Sequence, residues 1–160
     1  MCPEHSAVAT LIARVEGAWR SWSEYLAPLD EKRLREPGAC GDWSVRDIIA
    51  HITWFEREMT GMIADRVLAG SDLWALPPHE RNAAIDLEQR DRPLADILQE
   101  AEQAHALLVD ALSKLSDEDL TDASRFSGMP RDWVPERIIA QNSYEHYEAH
   151  LAGLCRSPRS

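Results

Sequence analysis

Cysteine is scarce in this sequence of 160 residues. The three cysteines, Cys2, Cys40 and Cys155, form neither a CxxC pair nor an even-numbered framework, which argues against a disulfide-stabilised fold. The first residues lack the basic stretch of a secretory signal, and no apolar run approaches the length of a membrane span. We therefore expect a cytoplasmic protein with reduced thiols and no membrane partner.

Basic residues are also few. Lys and Arg number 17 against 28 Asp and Glu, so the formal net charge is −11. A field of that sign repels phosphate backbones, and we expect no nucleic acid among the partners of the chain. The hydrophobic fraction of 44% is ordinary for a globular protein, and a chain of this length is expected to form one domain over residues 1–160.

The period-two alternation that is typical of strands is absent. Apolar residues recur instead every three or four positions in four long stretches, which indicates amphipathic helices. The predicted helices cover residues 6–27, 44–70, 93–115 and 133–155. Ser44 and Asp47 form a capping box at the start of the second helix, and a further short helix is expected near residues 79–90. The pattern predicts an all-α fold, a four-helix bundle.

Two histidines, His146 and His150, lie one helical turn apart in the last predicted helix. When this helix is projected at about 100° per residue, both fall in the arc of small and apolar residues around Ile139 and Leu154, opposite Arg137. They should therefore point into the bundle. Two such imidazoles can chelate one divalent metal ion. As ordinary core residues they would instead leave polar nitrogens unsatisfied, at roughly 1–3 kcal/mol each.

His51, on the inward side of the second helix, is the candidate third ligand. It lies about 10 Å from the start of its helix, whereas His146 and His150 lie about 14 and 8 Å from the end of theirs. The three can meet at one level only if these two helices are antiparallel. That arrangement requires an up-down-down-up order with a long crossover between the second and third helices, and residues 71–92 can provide it. His105, in the apolar stripe of the third helix, is interpreted as a core histidine.

Residues 41–54 (GDWSVRDIIAHITW) and 142–150 (NSYEHYEAH) resemble segments of the DinB/YfiT-like superfamily, and within it of the ClbS/DfsB-like four-helix-bundle proteins. The resemblance implies an up-down-down-up bundle, often a homodimer, in which three histidines hold a divalent metal. His51, His146 and His150 occupy the matching positions. Relatives include transferases and isomerases that use mycothiol or bacillithiol, and a resistance protein that hydrolyses a reactive cyclopropane.

A three-imidazole site leaves coordination positions open for water or substrate. The sequence therefore predicts a divalent-metal-dependent enzyme, a hydrolase or thiol transferase that acts on a small and reactive electrophile. The alternative is a non-catalytic bundle of a stress response that dimerises or sequesters a ligand. Zinc or nickel is the expected metal, and a low-molecular-weight thiol is a candidate cofactor. Metal-bound water is the candidate catalytic group, with Glu58 as a candidate base. The candidates for the pocket or the surroundings of the ligands are Trp54, Asn82, Asn142 and Tyr147.

Overall fold

The computed structural model describes residues 6–156, without the side chains of Cys155 and Arg156. Within this range seven α-helices follow one another. They are α1 (Ala7–Leu26), α2 (Glu31–Arg35), α3 (Val45–Asp65), α4 (Pro78–Gln89), α5 (Leu94–Ser113), α6 (Pro135–Gln141) and α7 (Tyr144–Arg156). Short 3₁₀ helices cover Asp72–Ala75, Asp117–Leu120 and Ala123–Arg125. Residues 6–156 contain two isolated bridges but no strand, so the predicted all-α class is confirmed.

The ends of the predicted domain, residues 1–5 and 157–160, lie outside the described part of the chain. So do the thiols of Cys2 and Cys155, whereas Cys40 is a free, exposed cysteine. No helix in the described range is both long enough and apolar enough to cross a membrane.

The core lies between the three longest helices and the last one. Helix α3 packs against α5, α1 packs against both α5 and α7, and α4 packs on α3. Because apolar residues repeat every three or four positions, each helix places one stripe of side chains in the interior. The most deeply buried of these include Leu11, Val15, Ile48, Leu108 and Ile139.

The start of α3 is held by two sets of polar contacts. Ser44 Oγ accepts a hydrogen bond from the Asp47 amide at 3.2 Å, and Asp47 Oδ2 accepts one from the Ser44 amide at 2.9 Å, so the predicted capping box forms. The buried Arg46 donates from Nη2 to the carbonyls of Gln89 at 2.7 Å and Arg92 at 2.5 Å. Helix ends leave such carbonyls without intrahelical partners. Arg46 thereby fixes the end of α4 against the beginning of α3.

The apolar periodicity predicted that this helix continues to Gly70. In the structure α3 ends at Asp65. The next residue, Arg66, takes a left-handed conformation with φ 55° and ψ 39°. Its Nη1 pairs with Asp119 Oδ1 at 2.6 Å, and its carbonyl accepts a hydrogen bond from the Ser127 amide at 2.8 Å. The helix therefore ends where contacts with a distant segment replace its own hydrogen bonds.

The predicted helix over residues 133–155 is not continuous, because α6 and α7 are separated at Asn142 and Ser143. Asn142 Nδ2 donates to the backbone carbonyl four residues earlier at 2.8 Å, and Ser143 Oγ does the same at 2.6 Å. Side-chain bonds of this kind compete with the helical ladder and bend helices. The prediction of one uninterrupted helix was therefore wrong, and the break lies just before the two histidines.

Candidate metal centre

Three histidine side chains from two helices converge on one point. His51 lies in the second turn of α3, and His146 and His150 lie in the first two turns of α7. The Nε2 atoms of His51 and His146 are 3.1 Å apart, and those of His146 and His150 are 3.0 Å apart. Candidate ligand atoms of all three lie within 4.8 Å of one another. The structure thus brings together the three residues that the sequence suggested as metal ligands.

Aromatic side chains enclose these imidazoles. The ring centroid of Trp43, from the loop before α3, lies 5.0 Å from that of His51. Phe55 lies 4.9 Å from His51 and 4.7 Å from His146 between ring centroids. His51 is only 5% exposed. An apolar enclosure excludes water and strengthens the electrostatic interactions inside it.

The enclosure keeps the three imidazoles neutral. Burial, followed by repulsion from the protonated forms of His146 and His150 and from Arg81, lowers the pKa of His51 to about 2. Burial and the neighbouring His150 lower the pKa of His146 to about 3. Burial also lowers the pKa of His150. Because neutral imidazole is the form that binds metal ions, the cluster is in its ligating state at neutral pH.

The contacts among the three Nε2 atoms do not make a complete hydrogen-bond set. A ring nitrogen of neutral imidazole carries either one hydrogen or one lone pair. Yet Nε2 of His146 faces two other Nε2 atoms at hydrogen-bond distance. A divalent ion with ligand nitrogens at about 2.0–2.1 Å would hold them about 3 Å apart and use all three lone pairs. The donor set therefore fits a divalent metal ion.

The Nδ1 atoms, which point away from the shared Nε2 cluster, have no polar partners in two of the three rings. The Nδ1 atoms of His51 and His146 are buried and form no hydrogen bond with any described residue. In metal sites this nitrogen usually donates to a carboxylate, a carbonyl or water. The two rings are thus oriented by packing, chiefly against Phe55, which contacts both.

Three of the other sequence candidates are not members of the histidine cluster. Trp54 is 6% exposed and packs against Phe55, with ring centroids 4.9 Å apart. Asn82 is half-buried on α4. Asn142, just after α6, donates from Nδ2 to the carbonyl of Ile138 in that helix. The structure therefore gives Trp54 a packing contact next to the enclosing ring, and gives Asn142 a structural hydrogen bond.

Tyr147 belongs to a second buried polar group deeper in the bundle. Glu56 has no exposed surface, and its carboxylate lies next to the Tyr147 phenol. Its Oε1 lies 3.6 Å from Nδ1 of His105, whose ring stacks on Trp19 with centroids 4.4 Å apart. Burial and the Glu56 carboxylate raise the pKa of the Tyr147 phenol. Glu56 was not among the residues predicted from the sequence, although its four-residue spacing from Ile52 places it in the apolar stripe of α3.

Glu58 holds the connection that follows α3. Its Oε2 accepts hydrogen bonds from the Ser71 amide at 2.8 Å and from Trp74 Nε1 at 2.6 Å. The chain passes so close that a Cβ on Gly70 would lie 2.1 Å from this oxygen. Trp74 in turn packs edge-on against Phe55, with ring centroids 5.5 Å apart. Glu58 thus supports the aromatic enclosure from outside, and a catalytic role for it stays a prediction.

A cavity of about 690 Å³ opens beside this enclosure. Its lining includes Met59, Met62, Trp74, Trp133 and Asn142, and none of the three histidines. The volume is within the range of small-molecule sites. The cavity shares Trp74 with the enclosure, so a ligand in it would lie next to the side chains that cover the histidines.

Comparison with known proteins connects this arrangement to one sequence family. Residues 15–142 match the mycothiol maleylpyruvate isomerase N-terminal domain. The matched range contains His51 and ends shortly before His146 and His150. No curated protein matches the chain.

Solved structures share the fold over nearly the whole chain. DfsB, described as a sibling lethal factor precursor, has a TM-score of 0.77 at 17% identity, over 96% of this chain and 95% of its own. An uncharacterised protein from Escherichia coli UTI89 has a TM-score of 0.68 at 16% identity, over 95% and 92%. The colibactin self-resistance protein ClbS, in complex with a dsDNA, has a TM-score of 0.74 at 14% identity, over 97% and 96%. The predicted ClbS/DfsB-like fold is confirmed.

One expectation from the sequence is wrong. Nucleic acid was excluded as a partner because of the net charge of −11, yet ClbS, which has this fold, is bound to a dsDNA. Net charge sums over the whole molecule, whereas contacts with DNA are made by local groups. The acidic composition therefore does not exclude this class of partner.

Proposed function

The chain belongs to the mycothiol maleylpyruvate isomerase N-terminal domain family, within the DinB/YfiT-like superfamily, and from this membership we propose that it is a divalent-metal-dependent enzyme. The observation that carries the proposal is the convergence of three neutral imidazole nitrogens from His51, His146 and His150. These side chains would be the ligands. Zinc or nickel suits an all-imidazole donor set of this kind.

The proposed reaction is hydrolysis or thiol transfer on a small electrophile. The bound ion would supply Lewis-acid activation of water or of a thiol. The residues of the chain keep the ligands neutral and exclude bulk water through Trp43 and Phe55. Within the described residues no fourth His, Cys, Asp or Glu joins the cluster, so further coordination positions are free for water or substrate.

The metal content of protein purified without an affinity tag tests the ligand set. We expect about one zinc or nickel ion per chain, as for a single three-histidine donor set. His146→Ala should lose most of the metal, whereas His79→Ala, at an exposed position on α4, should retain it. Less than half an equivalent of metal, unchanged by His146→Ala, would contradict the proposal.

The reaction class is tested with a panel of small epoxides and aryl halides, with and without an added thiol. A product that contains the thiol indicates a transferase, and one that contains water indicates a hydrolase. Either activity should disappear on chelation and return with zinc. If ligands bind equally well to a variant with alanine at His51, His146 and His150, and no product forms, the chain is instead a sequestering bundle.

We also propose the up-down-down-up order for the long helical segments, in one domain over residues 1–160. It is supported by the order of contacts between α3 and the last segment: His51 meets His150, whereas Glu56, further along α3, faces Tyr147. These two segments are therefore antiparallel. Contacts of α3 with the start and the middle of the α5 segment follow the same direction along both segments, because Arg46 meets the carbonyl of Arg92 and Arg57 meets Glu100. The connection containing α4 is the long crossover.

A further inference from the structure

The cavity of about 690 Å³ beside the aromatic enclosure has a lining suited to a flat, apolar ring system. Met59 and Met62 of α3 line it and are only 4% and 2% exposed, so they form its inner wall. Methionine side chains are polarisable and adapt to the shape of a ligand. Two indoles, those of Trp74 and Trp133, also line the cavity. Trp133 is 45% exposed and contacts no other aromatic ring of residues 6–156, so its ring is available to a ligand.

Two carboxylates on the same lining have no basic partner. Glu58 accepts its hydrogen bonds from neutral donors, an amide and an indole N–H, and Asp132 is exposed in the turn before α6. Neither forms an ion pair with a Lys or Arg in the described part of the chain. Arg137 also lines the cavity, but its Nη1 pairs with Glu145 Oε1 at 2.9 Å. The lining therefore carries an excess of negative charge.

Indole rings and carboxylates are the groups that bind organic cations, through the negative face of the ring and through direct charge attraction. One indole of the cavity already contacts a cation of the chain. Cζ of Arg81 lies 4.7 Å from the ring centroid of Trp74, although Arg81 forms no ion pair with a described residue. Arg81 is not part of the cavity lining. The net charge of −11 also raises the concentration of cations near the molecule.

We propose that this cavity binds a small aromatic cation. The flat ring lies against the methionines and indoles, and the positive charge lies towards Glu58 and Asp132. A ligand of two or three fused rings suits a cavity of this volume. None of the three histidines lines the cavity, so the site is separate from the candidate metal centre and does not rest on the proposed function.

Calorimetric titration of the metal-free protein at low ionic strength tests the proposal with two planar ligands of nearly equal size. The cation is N-methylquinolinium, and the neutral ligand is N-methylcarbostyril. The unmodified protein should bind the cation about fivefold or more tightly, as expected for a cation–π contact together with partly screened charge attraction. Asp132→Asn and Glu58→Gln should each weaken binding of the cation about threefold and leave binding of the neutral ligand unchanged.

Glu88→Gln is the matched control, because Glu88 is exposed on α4 and does not line the cavity. It removes the same charge from the molecule and should leave the preference for the cation unchanged. An equal loss of preference in Glu88→Gln would show that the cation responds only to net charge, which overturns the proposal. Equal binding of the two ligands by the unmodified protein also overturns it. Thermal melts identify any variant that is not folded, and the exposed Asp132→Asn then carries the comparison.

The indole N–H signals in the NMR spectrum locate the bound cation. N-methylquinolinium should shift the signals of Trp74 and Trp133 and leave that of Trp22, which is 1% exposed in the core, in place. Trp133→Leu should weaken binding of the cation about threefold, because it removes a ring face but keeps an apolar side chain. A shift at neither cavity indole overturns the proposal.

The outcome is independent of the metal. If the protein binds no zinc but prefers the cation in an Asp132-dependent manner, the cavity site stands and the proposed metal function fails. If zinc binds at the histidines but the preference is absent, the cavity site alone is overturned.

Discussion

The buried imidazoles determine how the metal-free protein responds to acid. The pKa of His51 is lowered to about 2 and that of His146 to about 3, against an ordinary value of about 6.5 in the unfolded chain. Below pH 6.5 the unfolded state therefore binds protons that the folded state does not. Stability is complete above the unfolded pKa and is lost as the pH falls towards the folded values, by about 1.4 kcal/mol per pH unit for each histidine.

Urea unfolding of the metal-free protein should show this loss directly. Between pH 7 and pH 5 we expect the free energy of unfolding to fall by about 2–4 kcal/mol more than in a His51→Gln, His146→Gln double variant. The double variant retains every other titrating group and so serves as the reference. Parallel pH profiles for the two proteins would contradict the burial of neutral imidazoles.

Glu56 gives a second prediction for a single residue. Its carboxylate is fully buried, next to the Tyr147 phenol and 3.6 Å from Nδ1 of His105, and it forms no ion pair with a Lys or Arg of the described residues. Glu56→Gln preserves volume and removes the charge, so we expect the free energy of unfolding at pH 7 to rise by about 1 kcal/mol. Glu24→Gln, at an exposed position on α1, should have little effect. A comparable loss of stability in Glu56→Gln would show instead that its surroundings stabilise the charged form.

The candidate ligands could be found from sequence because their signal is local. Four-residue spacing places His146 and His150 on one face, and counting residues from the helix ends brings His51 to the same depth. Arg81 gave no such signal. Its relation to the centre depends on how α4 docks on α3, and that docking is made by hydrogen bonds between segments far apart in sequence.

At the scale of the elements, the connection after α3 supports the site because it carries Trp74, which packs against Phe55. Glu58 joins it to the helix through the Ser71 amide and Trp74 Nε1. Glu58→Ala should therefore speed hydrogen exchange of the amides over residues 70–74 about tenfold or more, since it removes the acceptor that holds them. The metal content should not change, because the histidines lie on α3 and α7. Unchanged exchange would mean that this connection is held by other contacts.

The limits of the helices were less predictable than their existence. The sequence predicted helix through residues 66–70 and through residues 142–143. In the structure α3 ends at Asp65, and the last predicted helix is interrupted at Asn142 and Ser143. In the first case a tertiary ion pair with Asp119 ends it. In the second, side-chain hydrogen bonds compete with the backbone ladder. Periodicity reports which face is buried, and neither of these effects changes that face.

At the scale of the whole molecule, apolar periodicity predicted the class of fold, whereas net charge did not predict the partners. The helical periods were sufficient to predict an all-α protein, because burial of one stripe per helix is a property of the chain as a whole. Net charge was not sufficient to exclude a class of ligand. Arg81 illustrates the reason, since one unpaired cation near the centre differs in sign from the total of −11.

The central claim is that His51, His146 and His150 hold one divalent metal ion. Anomalous diffraction from crystals of protein purified without a tag, recorded on both sides of the zinc and nickel absorption edges, tests it most directly. We predict one strong anomalous peak between the three Nε2 atoms, which identifies the element and its occupancy together. Crystals that contain only water at that point, after growth with added zinc or nickel, would contradict the claim.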